Sequence, residues 1–192
     1  MYKIKNGLVL LLCSCLLAPC FAQQYSPGPK TTFQSINQMG LLDGESGAAV
    51  QLQTINGVRH QSWFIGAGLG LDYYKFRTIP LFLDLRKTFG NGSNQFFLYS
   101  DAGASFYWKR DKDVKEYFLN DKFKPGLLAE AGLGCSIKIN SGLHVLFSGG
   151  YSYKSVREQG SLVWIDWPPP GDNTAVTEHH LNRVVIKAGL VF

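Results

Sequence analysis

Cysteine is scarce in this chain. There are four in 192 residues, and Cys13, Cys15 and Cys20 lie within one N-terminal stretch. If that stretch is removed on export, only Cys135 remains, which excludes an intrachain disulfide. Its place on an apolar strand face also argues against a reactive thiol, which needs an electropositive, exposed setting. Charge is scarce too, at 17 % of residues with a formal net of +5. So mild a balance does not point to nucleic acid. Beyond the N-terminus no apolar run reaches the roughly 18 residues that a membrane-crossing helix requires.

Aromatic residues (14 %) and glycines (21 of them) are present instead. Residues 1–22 read as a secretory signal. Lys3 and Lys5 precede an apolar core over 7–17, and Cys20-Phe21-Ala22 place small residues ahead of a cut before Gln23. Two other readings of this stretch are a buried helix and a lipoprotein signal at Ser14-Cys15. Cleavage would remove two lysines and no acids, lowering the net charge from +5 to +3. Residues 23–32, with Pro27 and Pro29, form a short periplasmic lead-in to a single domain over 33–192.

That domain alternates two residues at a time. The clearest stretch is 127–153. In it Leu127, Ala129, Ala131, Leu133, Cys135 and Ile137 face one way, and Leu128, Glu130, Gly132, Gly134, Ser136 and Lys138 the other. Around Asn140-Ser141-Gly142 the chain turns, and the pattern resumes to Tyr153. Period-two patterning marks strands with unlike faces. Each arm is about thirteen residues, enough to cross a bilayer when tilted, which takes about 9–11. The same alternation predicts eight strands: 33–42 (weakly patterned), 48–54, 60–73, 79–86, 94–108, 127–139, 143–153 and 181–192. Asn56-Gly57, Gly90-Asn91-Gly92-Ser93 and Asn140-Ser141-Gly142 supply tight turns after the second, fourth and sixth. Long loops over 109–124 and 154–180 follow the fifth and seventh. In an up-and-down barrel the tight turns then share one rim and the long loops the other, as in transmembrane barrels.

Polarity assigns the faces. One set carries Asp72, Asp84, Arg86, Asp101, Glu130, Lys138, Arg183 and Lys187 among glycines and serines; the other is Leu, Ile, Val, Ala and aromatics. A lipid-facing Arg or Lys at mid-bilayer costs about 2–4 kcal/mol, so the charged set must line the lumen. Four acids and four bases there can pair. Trp63, Phe89, Phe96 and Phe192 gather towards the tight-turn rim. Tyr73, Phe106, Trp108, Tyr151 and Tyr153 gather towards the other, as interfacial girdles do.

With the signal 1–22, the eight alternating strands and the terminal Val191-Phe192, the chain resembles the small bacterial outer-membrane β-barrel proteins of the OmpA/OmpX-like kind. The resemblance implies an all-β, eight-stranded antiparallel transmembrane barrel in the bacterial outer membrane. It also implies contact with outer-membrane lipid and a C-terminal Phe192 that serves as a signal to the barrel-assembly machinery. No cofactor, metal or nucleic acid is expected. The expected role is non-enzymatic: structural, adhesive or binding an unknown extracellular or periplasmic protein through the long loops. There Tyr117, Phe118, Trp164 and Trp167 are candidate surface residues. A lipid-modifying barrel enzyme is the alternative, since His144, Ser148 and Glu130 share the inner face. His144 and Glu130, however, lie about seven residues apart along their strands, roughly 23 Å at about 3.3 Å each, beyond the reach a catalytic triad needs. The adjacent His179 and His180 point opposite ways and do not make a chelating pair. A soluble periplasmic barrel would need the faces reversed.

Overall fold

The computed structural model describes residues 31–90, 92–108, 118–162 and 174–192. The expected signal, most of the lead-in, and Tyr117, Trp164 and Trp167 lie outside these. Nine strands form one antiparallel sheet: β1 (Thr31–Gly44), β2 (Ala49–His60), β3 (Trp63–Asp72), β4 (Thr78–Phe89), β5 (Asn94–Tyr107), β6 (Phe118–Lys124), β7 (Gly126–Lys138), β8 (His144–Leu162) and β9 (Thr174–Val191). Consecutive spans pair, and β9 pairs with both β8 and β1, closing a barrel of eight. The short β6 pairs with the far end of β8 and runs through Pro125 into β7, so the two are segments of one span. Proline cannot donate to a ladder, and the register steps by one where Pro125 interrupts it.

The stagger of the barrel can be read by walking across paired residues. From Gln34 the neighbours are Gly57, Gly66, Asp84, Asp101, Glu130, Ser152 and Arg183. The last pairs back onto β1 at Gly44, ten residues beyond the start. Eight strands with that shear tilt by about 41° and enclose a radius of roughly 8 Å, room for side chains and little else.

The faces fall where the alternation puts them. Leu83, Leu133 and Ile186 are exposed on the outer wall; Asp84, Asp101, Glu130, Arg183 and Lys187 are buried inside. The exposed and buried neighbours Ile186 (68 %) and Lys187 (2 %) show the contrast within one step. The lumen is completed by Ile36, Ile55, Phe64, Phe82, Phe97, Tyr99, Leu128 and Leu146. A soluble ligand-binding barrel would have these faces interchanged.

Several boundaries differ from expectation. The lead-in ends earlier, since Thr31 and Thr32 already pair in β1 with His60 and Arg59. Asn56-Gly57 does not turn. It sits within β2, and the chain reverses at Gln61-Ser62, where Gln61 takes φ 55°. The reason is close strand contact. Gly57 lies directly across from Gly66, and a Cβ on Gly57 would come within 2.2 Å of Ile65 O and 2.5 Å of Gly66 Cα. The glycine serves the sheet and not a turn. The other two tight turns stand near 90–93 and 139–143, with Gly90 and Gly92 at φ 91° and 132° and Gly142 N–H donating to Asn140 Oδ1 at 3.0 Å. The expected long loops are shorter than drawn, because residues 118–124, 154–162 and 174–180 are strand.

A Gly57→Val variant should lower the free energy of unfolding by about 1–3 kcal/mol, the usual cost of overpacking. Urea titration of the barrel refolded into lipid vesicles measures this. Gly142→Ala, where a Cβ meets nothing within 4 Å, serves as the unchanged control. Equal midpoints for the two variants would contradict the packing account.

Candidate functional site

The lumen carries its charges in two layers. The one nearer the long-loop rim is built on Asp72, the last residue of β3. Its Oδ2 accepts from Lys154 Nζ at 2.9 Å and from Arg183 Nη1 at 2.6 Å, and its Oδ1 accepts from the Tyr74 backbone N–H at 2.8 Å. Lys154 also donates to Thr78 Oγ1 (3.2 Å) and Tyr74 O (3.3 Å), and Arg183 Nη2 donates to Ser152 Oγ (2.7 Å). The Arg183 guanidinium lies 5.4 Å from the Tyr74 ring centre, and the Tyr74 hydroxyl accepts from Ser46 N–H at 2.8 Å, tying down the β1–β2 turn.

The middle layer holds three carboxylates on three neighbouring strands, Asp84, Asp101 and Glu130, which face one another across the ladder. Arg86 meets Asp84 through Nε (2.9 and 3.0 Å) and Nη2 (2.8 Å). Lys187 pairs with Glu130 and lies 3.6 Å from Asp101. Gln53 Oε1 accepts from Gln38 Nε2 (2.5 Å) and Lys187 Nζ (3.4 Å), and Tyr99 donates to Glu130 at 3.1 Å. Among the described residues neither Asp101 oxygen has a hydrogen-bond partner. Three acids face two bases here, whereas one acid faces two bases in the layer above. By formal charge the two imbalances cancel.

Seven of the eight residues expected in the lumen network are there. Lys138 is not: at the last step of β7 it has passed the tight-turn rim and is exposed. Lys154 takes its place in the charge count, fully buried, although the sequence reading assigned it to a loop. The missed signal was one more step of alternation beyond Ser152. Tyr74 also went unrecognised; it lies in a turn, outside any strand pattern. His144, Ser148 and Glu130 are not brought together. His144 pairs with Lys138, and Glu130 with Ser152 eight residues further along β8, roughly 26 Å at about 3.3 Å each. His144 Nδ1 contacts Ser136 Oγ at 3.2 Å instead. The tight-turn mouth beside it, lined by Arg59, Arg86, Phe97 and His144 among others, holds a cavity of about 30 Å³, little more than a water.

At the rims, cations lie over girdle aromatics: Lys87 over Trp63 at 4.4 Å, and Arg77 over Tyr73 at 5.3 Å and Trp108 at 6.0 Å. Such amphipathic pairs suit an interface between apolar and wet surroundings. Above the long-loop rim His180 Nδ1 meets the Tyr153 hydroxyl at 2.6 Å, while His179 on the other face packs on Phe76 with ring centres 5.1 Å apart. Phe118 opens β6 and belongs to a strand, not a loop. Phe192 exchanges both backbone hydrogen bonds with Ser35 (2.9 and 3.0 Å), so the C-terminal residue fixes the closing register.

Asp72→Ala should destabilise the barrel by roughly 3–5 kcal/mol, since it strands two buried cations. Lys154→Met should cost distinctly less, because Asp72 keeps Arg183. Urea unfolding in vesicles gives the order, and the reverse order would show that Asp72 does not organise this layer.

No protein-family model matches the chain, and no curated protein matches it. Solved structures do. The outer membrane protein OprG from Pseudomonas aeruginosa aligns with a TM-score of 0.55 and 14 % identity over 83 % of this chain and 94 % of its own. Neisserial surface protein A (NspA) aligns at 0.52 and 11 % over 84 % and 97 %. The chain has the eight-stranded antiparallel fold of the small outer-membrane β-barrels.

Proposed function

We propose that this protein is an integral barrel of the bacterial outer membrane that binds a partner protein at its long-loop rim and neither conducts nor transforms a small molecule. The apolar outer wall, the girdles and the fold shared with OprG and NspA support the location. So do the signal-like residues 1–22 and the terminal Phe192, the feature by which the assembly machinery would recognise it. A lumen crossed by two layers of paired charge and narrowed to about 30 Å³ at one mouth speaks against transport.

One observation carries the binding role. β9 pairs with β1 only as far as Arg183, whereas it pairs with β8 back to Thr174. Above the rim the side of β9 that faces β1 lower down is therefore an unpaired backbone edge among the described residues. The register gives the direction of each group. Phe192 bonds to β1, so even-numbered residues of β9 aim their N–H and C=O at that edge, and odd-numbered ones bond to β8. Val176, Glu178 and His180 thus offer unpaired backbone to an added strand. An open edge of this kind is the surface on which an extended segment of another protein adds by main-chain hydrogen bonds.

A photo-crosslinking residue at Glu178 should form a discrete adduct with another protein on intact cells. Val176→Pro should reduce the adduct at least about tenfold while heat-modifiable gel mobility, the mark of a folded barrel, persists; proline is tolerated where the N–H faces a free edge. No adduct, or one indifferent to Val176→Pro, would count against the edge. Hydrolytic or acyl-transfer activity on lipid A or phospholipid that vanished with His144→Ala would favour the enzyme reading.

A further inference from the structure

Polar side chains on the outer wall gather in one cluster, apart from the lone Ser100 on β5. Ser35 and Asn37 on β1 and Thr54 and Asn56 on β2 all point outward, and they form two directly paired rows, Asn37 with Thr54 and Ser35 with Asn56. Asn37 and Asn56 are exposed, and Ser35 and Thr54 half-exposed. Among the described residues none of the four side chains finds a hydrogen-bond partner. The quartet does not sit at an interface. On the same two strands it is bracketed on one side by the exposed pair Phe33 and Val58 and on the other by Met39, Leu52, Leu41 and Val50. The span from the Phe33 row to the Leu41 row is eight residues, about 20 Å of height at this tilt. Asn37 and Thr54 fall at its centre, within the hydrocarbon. The outward positions beside the quartet are apolar, Leu69 and Ala67 on β3 and Leu190 on β9.

From this we infer that the β1–β2 face is the contact between two copies of this protein within the membrane. The inference rests on the membrane reading above. Acyl chains offer an amide or a hydroxyl nothing to bond, so polar side chains at this depth seek other polar side chains. Each member of the quartet both donates and accepts: the two carboxamides through N–H and C=O, the two hydroxyls through one oxygen. The set is therefore complementary to itself. Two barrels inserted in the same orientation can form an isologous contact only about an axis along the membrane normal. That operation preserves depth, so each copy presents its quartet at the level where the other needs it. An unrelated partner meets this condition only by matching it independently. Ala67, small and exposed beside Asn56, lets the walls approach.

The test is disulfide trapping of the full-length chain in membranes, in a Cys135→Ala background. A cysteine at Ala67, beside the quartet but not in it, is compared with one at Leu133, which is exposed on the opposite wall. Mild oxidation should give a species of twice the monomer mass at Ala67→Cys, at least about fivefold above Leu133→Cys. Adding Asn37→Leu and Asn56→Leu should bring the yield down to the Leu133 level with heat-modifiability intact. Monomer at both positions, equal yields at both, persistence after the double replacement, or an adduct of another mass at Ala67 would each overturn the proposal. The comparison of the two reporter positions needs no change in the quartet, so it decides the matter even if the double variant fails to fold. Recovery of the unmodified chain in the soluble fraction would remove the membrane reading along with it.

Discussion

Closure is the constraint on which the rest of this molecule depends. Eight strands offset by ten residues admit one narrow radius. A sheet so closed has no free edge within the barrel. The interior must then be filled by the chain's own side chains. Phe82 shows how tightly. Its ring lies over Gly68 directly across the ladder, and a Cβ on that glycine would sit 2.3 Å from the ring. The many glycines of the inner face thus trade bulk with the aromatics beside them.

Filling a narrow lumen with charge is safe only when the charge is balanced. Buried ions stay ionised at tolerable cost only if each has a partner and its remaining hydrogen bonds are met. Asp72 meets both conditions with three donors. Asp101 does not: among the described residues its only close cation is Lys187, at 3.6 Å. By formal charge the two layers together sum to zero, and Lys154 and Arg183 join walls far apart in sequence. Such a network ties together walls of the barrel that face one another across the lumen.

Much of this was legible in the sequence because period two is unambiguous when one face carries charge and the other Leu, Ile and aromatics. Asp84, Asp101 and Glu130 could be assigned to the lumen from parity alone. What parity could not supply was where each strand stops. Lys138 and Lys154 have the same inward parity, yet one has left the barrel and the other is fully buried, because tilt and stagger place their strand ends at different heights. Asn56-Gly57 misled for a related reason. Glycine serves a tight turn and a close strand contact equally well, and only the facing Gly66 shows which applies. The outward Asn37 was hidden because β1 is weakly patterned, with polar residues on both faces, and Asn56 because Asn56-Gly57 reads as a turn.

One inversion underlies the whole barrel: odd and even residues of each strand meet opposite surroundings. Spin labels placed one at a time from Arg183 to Leu190 on β9, in the protein reconstituted into lipid bilayers, test it most directly. Relaxation by oxygen, which concentrates in lipid, should rise at Val184, Ile186, Ala188 and Leu190 and fall at Arg183, Val185, Lys187 and Gly189, with period two throughout. A flat profile, or one in which a water-soluble paramagnet reaches Val184 and Ile186 as readily as oxygen does, would contradict it.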